Sequence, residues 1–244
     1  MLIGICSLSA VPMRKFQSDQ SEMTNQILFG ETFNVIKKNK KWSFIKLKHD
    51  NYTGWIDNKQ YQIVNSHNTD YIISNRKNSS IIIKSIKQNI TIGSLIPQKK
   101  SMIQKLHITH QLSFCTMEPI EKWFIKIAKT YLNTPYLWGG RSIFGIDCSG
   151  LTQMVFRLFN KKLPRDSKDQ AKKGRKIKNI KKIKLGDLAF FGDKKITHVG
   201  IILTNNKIIH ASGKVRIDLI NEHGILDNNT LQKTHQLICI RRIL

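Results

Sequence analysis

Cys148 and two histidines, His198 and His210, are the residues in this chain whose types and surroundings best suit covalent and proton-transfer chemistry. Asp147-Cys148-Ser149-Gly150 is followed by Leu151, Met154, Val155, Leu158 and Phe159 at helical spacing, which predicts an amphipathic helix that opens at the cysteine. A thiol attacks well only as thiolate, and the free N–H groups and dipole of a helix start favour that anion. Ser149 and Gly150 are short, which leaves room for a substrate carbonyl to approach backbone donors. His198 opens the apolar run to Leu203 after a polar loop and is the candidate base. His210, within Ile208-Ile209-His210-Ala211-Ser212, would orient it if the two strands pair. A lone cysteine is more often a small buried hydrophobe, and a lone histidine more often a half-buried structural residue. It is the set that points to nucleophilic acyl transfer.

The elements that must position these groups fall into three sections. Residues 1–61 show short alternating or apolar runs, Ile3 to Leu8, Gln26 to Phe29, Phe33 to Lys37, Trp42 to Leu47 and Tyr52 to Ile56, with turn residues between them. This predicts a small β-barrel. Residues 62–115 repeat the style with Tyr71 to Ser74, Ser80 to Ile86 and Ile90 to Ile96, which predicts a second small barrel. From residue 116 the character changes. Pro119 sits where a helix could begin, with Ile120, Trp123, Phe124, Ile127, Ala128, Tyr131 and Leu132 at helical spacing. After the Cys148 helix come strand-like segments at Asp187 to Phe191, Thr197 to Leu203, Lys207 to Ala211, Lys214 to Ile220 and Leu237 to Ile243. Helices followed by a run of antiparallel strands predict an α+β domain over 116–244.

Composition excludes several classes. At 244 residues and 40% hydrophobic content, the chain can bury more than one core. No apolar run approaches the roughly 20 residues of a membrane helix, so no membrane partner is expected. The net charge of +25 comes from 41 Lys and Arg against 16 Asp and Glu. These cations are spread along the chain and accompany heavy use of Ile and Asn, as in an AT-rich coding bias, so no specific nucleic acid is expected. The densest run, Lys172 to Lys184, reads as a solvated loop. Cys6, Cys115, Cys148 and Cys239 lack paired spacing, and Met1 to Val11 lacks the features of a signal peptide. Both favour a cytoplasmic protein, a secreted or periplasmic one being the alternative. His107 and His110 lack a third ligand at metal-site spacing, and Gly139-Gly140-Arg141 lacks the ending of a phosphate loop. No metal and no cofactor is expected.

Five ordered blocks carry a resemblance: Tyr136-Leu137-Trp138-Gly139-Gly140, Asp147-Cys148-Ser149-Gly150-Leu151, Pro164-Arg165-Asp166-Ser167, Gly186-Asp187-Leu188 and His198-Val199-Gly200-Ile201. They resemble the NlpC-type cell-wall cysteine peptidases. Val11-Pro12-Met13-Arg14, Ser21-Glu22-Met23 and Gly54-Trp55-Ile56-Asp57 resemble the bacterial SH3-like domains that precede this catalytic domain in γ-D-glutamyl-L-diamino acid endopeptidases. The resemblance implies a papain-like domain with Cys148 as nucleophile, His198 as base and His210 as its orienting partner. It further implies that Asp147, Ser149, Ser167 and Tyr136 line the substrate site, that the first SH3-like domain adds Glu22 and Trp55, with Tyr61 the alternative aromatic, and that the substrate is a peptidoglycan-derived stem peptide with a free L-Ala amine. Cleavage would release L-Ala-D-Glu in murein peptide recycling. The alternative is a catalytically inactive scaffold that binds cell wall through its SH3-like domains.

Overall fold

The structure, a computed structural model, describes residues 2–67, 70–77, 79–111 and 120–244. The chain divides into two compact units, one of residues 1–116 with 138–143, the other of 117–137 with 144–244. The expected boundary at 115/116, Cys115 and Pro119 lie outside the described residues.

In the N-terminal unit, β1 (Leu2–Ile5), β2 (Ala10–Arg14), β3 (Met23–Leu28), β4 (Thr32–Lys38), β5 (Trp42–Leu47), β6 (Thr53–Asp57) and β7 (Gln62–Val64) form an antiparallel sheet in the order β3-β2-β6-β5-β4-β1-β7. Register is set by alternation: Phe33 opposes Leu47 and Val35 opposes Ile45, so one face buries them with Val11, Met13, Ile27 and Ile56. β2, which contains Pro12, is not among the strands expected from the sequence. The proline is tolerated because β2 meets β6 only at Arg14, so no partner strand needs the missing N–H at residue 12. Gly30 is required at its turn: its φ is +78°, and a Cβ there would lie 1.7 Å from the Leu95 carbonyl oxygen.

The following strands, β8 (Tyr71–Ile73), β9 (Ser79–Ile83), β10 (Ile86–Ile90), β11 (Leu95–Pro97) and β12 (Ile108–Gln111), with helix α1 (Lys100–Lys105), form two further small sheets. Ile5, Phe29 and Val64 share one core with Ile81, Ile90, Ile96, Met102 and Leu106, so the two β sections lean on common hydrocarbon. The segment 138–143, which includes β13 (Arg141–Ser142), belongs to this unit as well. Arg141 is fully buried and grips Glu31, 1% exposed, through Nη1 at 3.0 Å and Nη2 at 2.9 Å. Its backbone N–H donates to Gln26 Oε1 at 2.7 Å, and Nη1 donates to the Gln26 carbonyl at 2.9 Å.

The C-terminal unit contains α2 (Ile120–Thr130), β14 (Gly145–Ile146), α3 (Cys148–Arg157), α4 (Ser167–Gln170), β15 (Arg175–Ile177), β16 (Leu188–Phe191), β17 (His198–Thr204), β18 (Lys207–Ser212), β19 (Lys214–Asn221), β20 (Gly224–Leu226) and β21 (Lys233–Arg242). Its sheet runs β15-β21-β16-β17-β18-β19-β20, and β20 also pairs with β21, which closes a barrel. The expected α+β order and long strands are present. β15 lies inside the lysine run read as a loop, held by pairing of 175–177 with 240–242 on β21. Phe124 of α2 packs edge-on to Phe156 of α3, with centroids 5.5 Å apart, and α3 lies against β17.

Removing one partner of a buried ion pair leaves the other desolvated and uncompensated, at a cost of about 3–5 kcal/mol. Arg141→Gln is therefore expected to destabilise the N-terminal unit by about that amount in urea unfolding. A loss under about 1 kcal/mol would show that the Glu31 carboxylate finds other compensation.

Candidate active site

The helix start forms first from its cap. Asp147, in extended conformation, accepts the Gly150 N–H at 2.7 Å, so α3 opens at Cys148 as the sequence predicts. The same carboxylate is gripped by Arg165, through Nη1 at 2.9 Å and a closer contact from Nη2, and Arg165 also donates to Ser149 Oγ at 2.9 Å. Beneath them the buried Gln170 side chain donates to the carbonyls of Ser149 and Pro164 and accepts from Thr152. The Gly150 N–H is thereby committed to the cap. Burial pushes the Cys148 thiol up to about 12, with the Asp147 charge adding to the effect; N–H groups of Val199 and Ser149 and the Arg165 cation work against it. The sulfur thus interacts with the backbone of Val199, the residue after His198. Cys148 is 6% exposed.

The sheet supplies the imidazoles. Gly200 of β17 lies opposite His210 of β18, and a Cβ at 200 would come within 3.0 Å of His210 Cβ. Without that side chain, His210 reaches diagonally to His198, whose Nε2 stands 2.9 Å from His210 Nδ1. The other nitrogen of His210 lies 2.9 Å from Asp218 Oδ2 on β19. His235 of β21 stacks on His198 with centroids 4.3 Å apart and 26° between planes. Burial, then the neighbouring His210 and His235, hold the His198 pKa well below its ordinary value. Burial thus disfavours the charged form of both the Cys148 thiol and the His198 imidazole.

Tyr136 is half-buried; burial first, then Cys148 and Asp147, raise its hydroxyl pKa, which sets it beside the helix start. Ser167 opens α4 next to the Arg165 turn. Cys148, Asp147, Ser149, Tyr136, Ser167, His198 and His210 thus share the C-terminal unit, whereas Glu22 and Trp55 belong to the N-terminal one. Glu22 is exposed and accepts from Trp138 Nε1 at 2.8 Å and from Lys15 at 3.2 Å. The Trp55 ring is half-buried against Phe44, while Tyr61 is a core residue whose hydroxyl meets Ser43 Oγ at 2.8 Å. The sequence reading does not single out Asp218 or His235, and it names Arg165 only within the block Pro164-Arg165-Asp166-Ser167. For Asp218 a signal existed: a carboxylate in the middle of a β-branched strand is unusual and asks for a partner.

A thiol at a helix start, in the same unit as a His198–His210–Asp218 hydrogen-bond chain, suits cysteine-dependent acyl transfer. Residues 133–234 match the NlpC/P60 family, and residues 13–60 match the bacterial dipeptidyl-peptidase SH3 domain. The γ-D-glutamyl-L-lysine dipeptidyl-peptidase of Bacillus subtilis is 26% identical over 211 residues, 76% of this chain and 71% of that protein. A protein of the same name from Bacillus cereus is 24% identical over 248 residues, 86% of this chain and 74% of its own length. The probable endopeptidase NlpC homolog of Haemophilus influenzae is 40% identical over 93 residues, 38% of this chain and 49% of that protein. A solved NlpC/P60 family protein from Bacillus cereus shares the fold across 99% of both chains, with TM-score 0.79 and 18% identity. The chain therefore carries an NlpC/P60 cysteine-peptidase domain together with an SH3 domain of the bacterial dipeptidyl-peptidase type.

The depressed imidazole sets the pH response. Alkylation of Cys148 by iodoacetamide, followed by peptide mass spectrometry, is expected to rise through an inflection below about 6.5, hold a plateau across neutral pH and rise again only in alkali. A single inflection near 8.5, as for an isolated thiol, would contradict the coupling of Cys148 to His198.

Proposed function

We propose that this peptidase hydrolyses the γ-D-glutamyl-L-diamino acid bond of peptidoglycan stem peptides whose N-terminal L-Ala amine is free, releasing L-Ala-D-Glu for murein peptide recycling. The observation that carries this reading is the likeness to γ-D-glutamyl-L-lysine dipeptidyl-peptidases over most of the chain, SH3 domain included, joined to a helix-start thiol and a chain of two imidazoles and a carboxylate in the same unit. In acylation, the Cys148 proton passes to His198 and the sulfur bonds to the γ-carbonyl carbon of D-Glu. Collapse of the tetrahedral adduct breaks the C–N bond, and the diamino-acid amine leaves with the proton from His198. Water, deprotonated by the same imidazole, then cleaves the thioester to the free γ-carboxylate and restores the thiol.

Selection for the free amine would rest on Asp147, Ser149, Ser167 and Tyr136. Because Arg165 already compensates Asp147, the hydroxyl dipoles carry a larger share of that selection than a lone carboxylate would suggest. The proposal places the enzyme in the cytoplasm, and the unpaired Cys6, Cys148 and Cys239 suit a reducing compartment.

L-Ala-γ-D-Glu-diaminopimelate is expected to be cleaved at the γ-bond and its N-acetylated form to resist, as read by mass spectrometry. Cys148→Ala should lower turnover by at least about 10³-fold. Equal cleavage of the two peptides would remove amine selection, and cleavage of neither would overturn the substrate assignment.

A further inference from the structure

Behind His198 and His210 lies a carboxylate that the three-residue reading of the site leaves without a task. Asp218 is 2% exposed. Its Oδ2 lies 2.9 Å from His210 Nε2 and 2.8 Å from Arg216 Nε, while Oδ1 accepts from Arg216 Nη2 at 2.8 Å and from the Asn228 N–H at 3.0 Å. Arg216 reaches on to Asp227 Oδ2 at 2.6 Å, and Asp227 accepts the N–H groups of Asn229 and Thr230. A side chain built into so many contacts has a fixed orientation.

We propose that Asp218 is a positioning residue for the reaction, one that fixes the direction of the hydrogen-bond chain through His210 and so decides which nitrogen of His198 is basic. An ionised carboxylate can only accept, so His210 Nε2 carries a hydrogen. A neutral imidazole has a single N–H, so His210 Nδ1 must accept, and its partner at 2.9 Å, His198 Nε2, must donate. His198 then has its lone pair on Nδ1, the nitrogen not engaged by His210 and the one left for the thiol. Two imidazoles alone could run the chain in either direction. In the reverse direction His198 Nδ1 carries the hydrogen and cannot accept the proton of Cys148. The carboxylate at one end removes that ambiguity.

Arg216 limits the carboxylate to this task. Burial alone would raise the Asp218 pKa, but hydrogen bonds from His210, Asn228 and Arg216 hold it below its ordinary value, so the group stays ionised. With the guanidinium beside it, little net negative charge reaches His198. Direction is supplied without making the base much stronger. The charged and titratable groups around His198 are Cys148 on α3, with Asp147 and Arg165 beyond it, His210 on β18, Asp218 and Arg216 on β19, and His235 on β21.

The inference rests on Cys148 and His198 as nucleophile and base, and its test reads Cys148 without any peptide substrate. Site-resolved iodoacetamide alkylation is followed against pH in the wild type, Asp218→Asn and Arg216→Gln, with kcat and KM on L-Ala-γ-D-Glu-diaminopimelate in parallel. Buried Cys6, whose thiol burial pushes up to about 12, is the internal control. Asp218→Asn should lower the neutral plateau at least about tenfold and kcat roughly 10²-fold, with KM changed less than about threefold. Arg216→Gln leaves the carboxylate uncompensated, which favours the imidazolium, so the acid inflection should move upward. It sits on a half-exposed side chain and stays informative even if Asp218→Asn fails to fold. A wild-type plateau in Asp218→Asn, or an unmoved inflection in Arg216→Gln, would reduce Asp218 to a structural anchor and overturn the proposal. Absence of any neutral plateau in the wild type would instead strike the nucleophile and base assignment itself.

Discussion

The hydrogen bond between His198 Nε2 and His210 Nδ1 is the constraint around which the C-terminal unit is organised. It requires two strands in one register, a glycine at 200 where a Cβ would meet Ile208 and His210 Cβ, and a third strand with a carboxylate behind it. Closure of the barrel through β20 and β21 adds the stacked ring of His235. None of this is local. A slip of one residue along β17 would turn His198 to the opposite face of the sheet and dissolve the site. The hydrocarbon of Ala189, Phe191, Ile202, Ile208, Ile220 and Ile240 packs as one core across these strands.

Buried charge is handled in the same way in both units. Asp147 with Arg165, and Glu31 with Arg141, are pairings in which the guanidinium fork meets a carboxylate and makes a further hydrogen bond, to Ser149 Oγ in the first and to the Gln26 carbonyl in the second. Such pairs add little net stability compared with well-packed hydrocarbon, but they tolerate no loss of a member. They therefore fix geometry. Asp147 fixes the start of α3 and with it the sulfur; Arg141 fixes segment 138–143 on the N-terminal unit. Arg165 has the further effect of limiting how far the Asp147 charge opposes the thiolate.

How much of this could be read from the sequence follows from what is local and what is not. The helix that opens at Cys148 was legible because cap, short residues and apolar spacing lie within a dozen positions. The strands that carry His198 and His210 were legible from their apolar runs, and β5 was delimited to the residue. Asp218 was not, since its partner stands on a neighbouring strand and pairing register is invisible in a linear reading. β2 accommodates Pro12 because β6 pairs with it only at Arg14, a feature of register that a linear reading does not show. Three-residue β20 is too short to show a period, and β15 hid in a lysine run because an edge strand needs only half its face covered.

A buried thiol and a buried imidazole both favour their neutral forms, and in each case burial is the largest cause. The barrier to forming the ion pair is therefore electrostatic as well as covalent. Substrate that displaces water while bringing its own dipoles to the sulfur can offset part of this cost only when it is bound in register. Reactivity then depends on the proton reaching His198 at the moment the carbonyl is in place, which in turn depends on the direction imposed from Asp218 through His210. The carboxylate two rings away thus bears on catalysis through the placement of a single lone pair.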